Sequence, residues 1–155
     1  MDTPIERLSA AARERDLTVG VAESLTSGLL AGEVGKGEGA SDWFAGGVVA
    51  YGMQVKTEVL GVPEGVDPCS PECAVALATG VRRLLGADIA VATTGVGGPD
   101  AVDGHEPGTV YLGWASAEGS GAQRLQLDGG PERVLERTVD QGLRLLVRLA
   151  ERGSA

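Results

Sequence analysis

Ser24 lies at a predicted junction between a strand and a helix, where a fold can present a serine as a nucleophile. Residues 17–28 read LTVGVAESLTSG, in which a short apolar run gives way to a polar, hydroxyl-rich turn. The apolar run is typical of a buried strand, and a helix is predicted after it, with Thr26 or Ser27 as its N-cap. Ser24 would then lie beside backbone N–H groups that are free to bind an oxyanion. Two interpretations stay open: Ser24 is a nucleophile, or Ser24 and Thr26 only cap the helix.

A tyrosine and a lysine follow the second apolar run. Tyr51 ends the run WFAGGVVAY, and Lys56 comes one turn into the next predicted helix. A lysine that loses its solvation beside a hydroxyl can accept a serine proton, which makes both residues candidates for activating Ser24. The alternative is an edge tyrosine and a solvated surface lysine, since most lysines are exposed.

A glycine-rich loop follows the third apolar run. Its sequence, TTGVGGPD at residues 93–100, offers backbone N–H groups without side-chain bulk. Such a loop can cradle a phosphate or carboxylate, but it can equally be a plain turn. Neither the P-loop pattern nor a G-x-G-x-x-G pattern opening a helix is present.

The few histidines and cysteines limit the remaining chemistry. His105 is the only histidine and lies in a glycine-rich, acidic loop, so a Ser-His-Asp triad is disfavoured and a histidine-rich metal site is impossible. We expect no metal and no cofactor, because the aspartates at 88, 100 and 103 are scattered along the chain. Cys69 and Cys73 form no C-x-x-C motif, so reduced structural thiols are predicted. A covalent route therefore relies on serine with lysine or tyrosine.

The elements that must position these residues alternate between helix and strand. The predicted helices span 4–15, 26–34, 54–60, 70–85 and 131–152, and the predicted strands span 17–23, 43–51, 87–94, 109–117 and 123–127, with a loop at 35–42. This order, with a late hairpin, predicts a three-layer α/β/α domain with a mixed sheet. We expect a single domain over residues 1–155, with 153–155 as a frayed tail.

Charge and hydropathy exclude several classes of partner. The formal net charge is −9, and the 13 Lys and Arg residues form no dense run, which argues against nucleic-acid binding. No apolar run is long enough to cross a bilayer, and the N-terminus has no signal-peptide core. A cytoplasmic protein without membrane contact is expected.

Several ordered motifs resemble those of the CinA C-terminal domain family. AESLTSG at residues 22–28 is similar to the family's AES-x-T-G-G segment, and residues 43–62 are similar to its F-x-G-G-V-V-A-Y-x-x-x-x-K-x-x-x-L-G-V segment. Residues 70–100 match its helix, strand and glycine loop, and PGTVYLGWA at residues 107–115 matches its following strand. The resemblance covers roughly residues 8–149.

The resemblance implies an α/β fold and a nicotinamide mononucleotide (NMN) deamidase that yields nicotinate mononucleotide and ammonia. The family's catalytic serine, tyrosine and lysine fall on Ser24, Tyr51 and Lys56. The other expected substrate-binding residues are Leu25, Thr26, Ser27, Gly28, Gly46, Thr94, Gly95, Gly97, Gly98 and Thr109. The resemblance also implies a small-molecule nucleotide substrate, no metal and a homodimer. The family's additional N-terminal pyrophosphatase domain is not expected here.

Some residues depart from the family pattern. Ser27 replaces a glycine inside the nucleophile turn and would be strained if that position requires a positive φ. Gln54 replaces a common glutamate, and Glu106 replaces a lysine that many members carry. The stretches before Ser70 and Pro107 are shorter than usual. Two alternatives to NMN deamidation therefore stay open: an inactive paralogue that binds a nucleotide or protein, and hydrolysis of a different small amide.

Overall fold

One five-stranded sheet organises the chain. The computed structural model describes residues 2–152. The strands are β1 (Val19–Glu23), β2 (Phe44–Val49), β3 (Ile89–Gly95), β4 (Thr109–Ser116) and β5 (Gly119–Gln126). The helices are α1 (Pro4–Arg15), α2 (Leu29–Val34), α3 (Ala40–Trp43), α4 (Met53–Leu60), α5 (Pro71–Leu85) and α6 (Pro131–Arg152).

The sheet is mixed, with strand order β2-β1-β3-β4-β5. The strands β2, β1 and β3 are parallel, whereas β4 and β5 run antiparallel as a hairpin. The carboxyl ends of the three parallel strands therefore meet at one edge of the sheet, where ligands bind in α/β folds. Glu23, Val49 and Gly95 end these strands.

Helices cover both faces of the sheet, which confirms the three-layer α/β/α prediction. On one face, Val19, Val21 and Val91 pack with apolar residues of α1, α2 and α6. On the other face, Ala22 and Ala92 pack against α4 and α5. Alternate strand residues thus supply two separate cores, as the period of two in a strand requires.

Small residues let α5 lie unusually close to the sheet. A Cβ atom on Gly113 of β4 would stand 2.0 Å from the carbonyl oxygen of Ala74 in α5. The face towards α5 is otherwise lined by alanines, including Ala90 and Ala115. A core with few aromatic residues can reach native packing density in this way, because backbone atoms of the two layers approach directly.

The caps of α5 follow the sequence prediction. The Ser70 hydroxyl accepts from the backbone N–H of Cys73 at 3.1 Å, and Pro71 occupies the first turn. Gly86 ends the helix in the left-handed region at φ 63°. These interactions satisfy backbone groups that a helix end leaves unpaired.

Three predicted segments differ from the structure. The helix predicted from residue 26 begins only at Leu29, because residues 25–28 form turns. Residues 40–43 form the short helix α3, where the end of a loop and the first residue of a strand were predicted, and Trp43 is buried there. The strand β5 begins at Gly119 rather than at residue 123. Gly119 and Gly121, which favoured a turn in the sequence, pair with β4. The predicted frayed tail at 153–155 lies outside the described residues.

Candidate active site

Ser24 lies directly beyond the carboxyl end of β1. Its backbone N–H donates to the carbonyl of Thr93 in the adjacent strand at 3.0 Å, which fixes the start of the turn. The side chain is only 9% exposed, yet it lines a cavity of about 450 Å³. A buried hydroxyl that faces a cavity at strand ends is well placed to meet a bound ligand.

Glu23, which the sequence analysis did not single out, organises the turn around Ser24. Its carboxylate is 1% exposed and accepts the backbone N–H groups of Leu30 at 2.8 Å and Ala31 at 3.0 Å. The Thr26 hydroxyl donates to the same carboxylate at 2.5 Å and bonds to the Thr93 hydroxyl at 2.8 Å. The signal in the sequence is a carboxylate at the end of a fully apolar strand, which must find partners when it is buried.

The cap of α2 therefore differs from the prediction. Gly28, with φ 105°, is the N-cap residue and has no side chain to offer, so neither Thr26 nor Ser27 caps the helix. The Glu23 carboxylate takes over this role, which is favourable because a negative charge suits a helix N-terminus. The capping interpretation of Thr26 is wrong for this physical reason.

Replacing Glu23 with glutamine is expected to lower the free energy of unfolding by about 2 kcal/mol. The amide has one acceptor oxygen, and its NH₂ group would face an N–H donor of α2. Urea denaturation measures the change, with Glu33→Gln on the exposed side of α2 as a control that should shift stability by less than about 1 kcal/mol. Equal effects of the two substitutions would contradict this account of Glu23.

The backbone N–H groups of the turn are only partly available to an oxyanion. The Ser27 N–H already donates to the Ser24 carbonyl at 3.2 Å. Within residues 2–152, the N–H groups of Leu25, Thr26 and Gly28 donate to no backbone carbonyl. The amide of Leu25, which directly follows Ser24 and lines the cavity, is the best candidate to hold a developing negative charge.

Ser27 adopts a left-handed backbone conformation with φ 51°. This value meets the condition under which the sequence analysis expects strain, because a Cβ atom is unfavourable there. Its hydroxyl gains two long contacts, to the Ser24 carbonyl at 3.4 Å and to the Leu25 carbonyl at 3.5 Å.

The variant Ser27→Gly is therefore expected to be more stable by up to about 1 kcal/mol, as glycine carries no Cβ. Thermal unfolding measures the gain. The control Ser27→Ala keeps the Cβ and should bring no stabilisation. A loss of stability in the glycine variant would show that the hydroxyl contacts outweigh the strain.

Lys56 is buried at the base of the same cavity. It is 2% exposed, and its Nζ donates to the carbonyl oxygen of Tyr51 at 2.6 Å. Burial lowers the pKa of Lys56 below its ordinary value of 10.5, since the charged amine loses its hydration. The alternative of a solvated surface lysine is wrong, because α4 places this side chain inwards.

Tyr51 reaches Lys56 through its backbone rather than its phenol. Its side chain lines the cavity and is 68% exposed, while its carbonyl oxygen holds the Lys56 amine. A neutral amine that donates one N–H to a carbonyl keeps its lone pair free to accept a proton. Tyr51 thus orients the amine by a main-chain contact.

The cavity brings together most of the residues that the sequence analysis selected. Those that line it are Ser24, Leu25, Tyr51, Lys56, Thr94, Gly95, Gly97 and Gly98. Those that do not are Thr26, Ser27, Gly28, Gly46 and Thr109. Thr26 is fully buried in its bonds to Glu23 and Thr93, and the Thr109 hydroxyl donates to Gln126 at 3.2 Å. Gly46 lies within β2, away from the strand end.

His105 has a carboxylate partner in the fold. Its Nε2 lies 2.7 Å from Oδ2 of Asp67, and both side chains line the cavity. The two residues are 38 positions apart. Their separation in the sequence therefore does not indicate a contact between Asp67 and His105, which the fold brings together.

Both cysteines are buried free thiols. Cys69 precedes α5 and Cys73 lies within it, so they do not share a helix. Burial raises the pKa of Cys69 to about 11. Burial also raises the pKa of Cys73, against the opposing effect of the charge on Lys56. Protonated, buried thiols fit the structural role predicted for them.

Within residues 2–152, no helix has both the length and the apolar character needed to span a bilayer. In the same residues, no group of three or more His, Cys, Asp and Glu side chains is arranged to hold a metal ion.

The topology and the cavity at the strand ends define an α/β domain with its ligand site at the carboxyl edge of the sheet. The sequence profile of the CinA C-terminal domain matches residues 2–150, and the chain belongs to this family. Solved CinA superfamily proteins share its fold. The protein from Klebsiella pneumoniae 700603 superimposes with a TM-score of 0.90 at 28% identity, covering 96% of each chain. The one from Escherichia coli gives 0.85 at 30% identity, covering 92% of this chain and 89% of its own.

Curated relatives are longer proteins. A competence-damage inducible protein of Bacillus subtilis (strain 168) is 40% identical over 151 residues, which is 95% of this chain and 36% of the relative. The corresponding protein of Desulforudis audaxviator (strain MP104C) is 44% identical over 137 residues, which is 85% of this chain and 33% of the relative. The chain thus spans about a third of the length of these relatives.

Proposed function

We propose that the chain is an amidohydrolase that converts NMN to nicotinate mononucleotide and ammonia. The observation that carries the proposal is the shared cavity of Ser24 and Lys56, in which the lysine is buried and its pKa is lowered. The resemblance of these residues to the family's catalytic serine and lysine supports the same reaction. It would belong to pyridine nucleotide recycling in the cytoplasm.

The first half of the reaction forms an acyl-enzyme. Neutral Lys56 accepts the proton of the Ser24 hydroxyl, and Oγ attacks the carboxamide carbon of the substrate. The amide of Leu25 stabilises the negative charge on the carboxamide oxygen. Lys56 then returns its proton to the leaving nitrogen, the C–N bond breaks, and ammonia departs.

The second half repeats these steps with water. Lys56 takes a proton from a water molecule, which attacks the acyl carbon. The C–O bond to Ser24 breaks and the serine recovers its proton. Nicotinate mononucleotide leaves, and every proton is accounted for without an external oxidant or reductant. The loop residues Thr94, Gly95, Gly97 and Gly98 line the same cavity and offer backbone groups to the ribose or phosphate.

A binding module is the competing function. The strained Ser27 in the nucleophile turn favours it, since misplacement of a nucleophile by 1 Å can cost about a hundredfold in rate. Incubation of the native chain with NMN, with ammonia and nicotinate mononucleotide both quantified, separates the two. Equal amounts of both products support the amidohydrolase, whereas binding without release supports the module. A panel of other small amides tests the third alternative, and the homodimer expected from the resemblance is tested by sedimentation.

A further inference from the structure

A loop from residue 96 to residue 108 forms one wall of the cavity. Its base is closed by two backbone bonds, from Gly108 to the Val96 carbonyl at 2.7 Å and from Val96 to the Thr109 carbonyl at 2.9 Å. Its outer part turns back on itself, since Val102 and His105 exchange backbone bonds at 3.1 and 2.9 Å.

Asp67, the partner of His105, is held by two hydrogen bonds beside the N-terminus of α5. Asp67 uses Oδ1 to accept the backbone N–H of Cys69 at 2.9 Å, and its carbonyl accepts the Ser70 hydroxyl at 2.6 Å. Its other carboxylate oxygen is left for His105. The hydrogen bond from His105, followed by the one from Cys69, lowers the pKa of Asp67 below its ordinary value.

The His105–Asp67 hydrogen bond connects the outer part of the loop, residues 97–106, to the rest of the protein. In the described part of the chain, residues 97–106 make no other side-chain hydrogen bond or ion pair with an element outside the loop. The loop nevertheless supplies Gly97, Gly98 and Asp100 to the cavity that contains Ser24. A change in the loop position would therefore change the shape of the cavity.

We propose that His105 and Asp67 are positioning residues that hold the loop of residues 96–108 across the cavity and so set the affinity for the substrate. This inference rests on the proposed amidohydrolase function. Neither residue touches the reacting atoms in this account, because Ser24 and Lys56 perform the proton transfers. Loss of the contact should therefore weaken substrate binding and leave the chemical step unchanged.

The kinetic test compares His105→Ala with two matched variants. We expect His105→Ala to raise KM for NMN about tenfold, equivalent to about 1.4 kcal/mol, with kcat within about twofold of the native value. His105→Gln, whose amide can donate to Asp67 from the place of Nε2, should recover most of the affinity. Glu106→Ala, an exposed neighbour in the same loop that does not line the cavity, should behave as the native chain.

Hydrogen exchange of the loop amides gives a readout that does not require turnover. In His105→Ala the amides of residues 97–104 should exchange faster than in the native chain, and those of α5 should not change. Failure of the proposed function would appear as a native chain that releases no ammonia, and the exchange measurement would still test the loop contact. Unchanged KM and exchange in His105→Ala, or a fall in kcat at constant KM, would overturn the inference.

Discussion

Ser24→Ala is expected to reduce ammonia release from NMN by about 10⁴-fold or more, while the chain remains folded. The loss is large because the reaction proposed here forms a covalent bond through this oxygen, and no other hydroxyl in the turn faces the cavity. Thr26 is engaged by Glu23 and Thr93, and Ser27 does not line the cavity. A steady-state ammonia assay on the purified variant measures the effect.

The control for this variant is Ser41→Ala, which removes an exposed hydroxyl on α3. Its rate should equal that of the native chain. NMN should still bind to Ser24→Ala in calorimetry, because the walls of the cavity are unaltered. A variant that keeps more than about a tenth of the native rate would remove Ser24 from the mechanism.

Lys56→Met is expected to lower kcat by about 10³-fold without destabilising the chain at neutral pH. The activity falls because Lys56 performs the proton transfers of the proposed mechanism. The stability holds because a methionine of similar length fills the buried site without the cost of desolvating an amine. Such a combination of lost activity and retained stability is the signature of a buried polar group that serves function rather than stability.

Lys36→Met is the matched control, since Lys36 is exposed and paired with Glu33 at 2.8 Å. It should change the rate and the free energy of unfolding only slightly. Lys56→Met would contradict the account if it kept the native rate, or if it unfolded several kcal/mol more easily than the native chain.

The difference in free energy of unfolding between the native chain and Lys56→Met should depend on pH in one direction. The pKa of Lys56 is lower in the folded chain than the value of 10.5 expected after unfolding, so the unfolded chain binds more protons between these two values. The native chain therefore gains stability as the pH rises through this window. The free energy of unfolding of Lys56→Met should exceed that of the native chain most below the folded-state pKa of Lys56. The difference should shrink as the pH approaches 10.5.

The elements with local signals were predictable from sequence. Ser70, Pro71 and Gly86 mark the ends of α5 because capping depends on neighbouring residues only. The buried strands β1 and β3 were equally clear from their apolar runs. The start of α2 was misplaced because its cap comes from Glu23, several residues upstream, and not from the hydroxyl residues beside it.

Those parts of the site that lie at the ends of parallel strands were predictable from sequence. Ser24, Tyr51 and Thr94 lie at or just beyond the carboxyl ends of parallel strands, and their convergence on one edge follows from that topology. The burial of Lys56 and the pairing of His105 with Asp67 depend on packing between distant segments. No pattern of spacing in a single sequence encodes such contacts.

The central claim is that Ser24 carries the acyl group. Its most direct test uses the methyl ester of nicotinate mononucleotide, since an ester acylates a serine faster than an amide and lets the intermediate accumulate. After acid quenching, mass spectrometry of the digested chain should find the nicotinate mononucleotide acyl group on the peptide that contains Ser24, with a methanol burst equal to the enzyme concentration. Hydrolysis of the ester with Ser24 unmodified, or with the acyl group on another residue, would contradict the account.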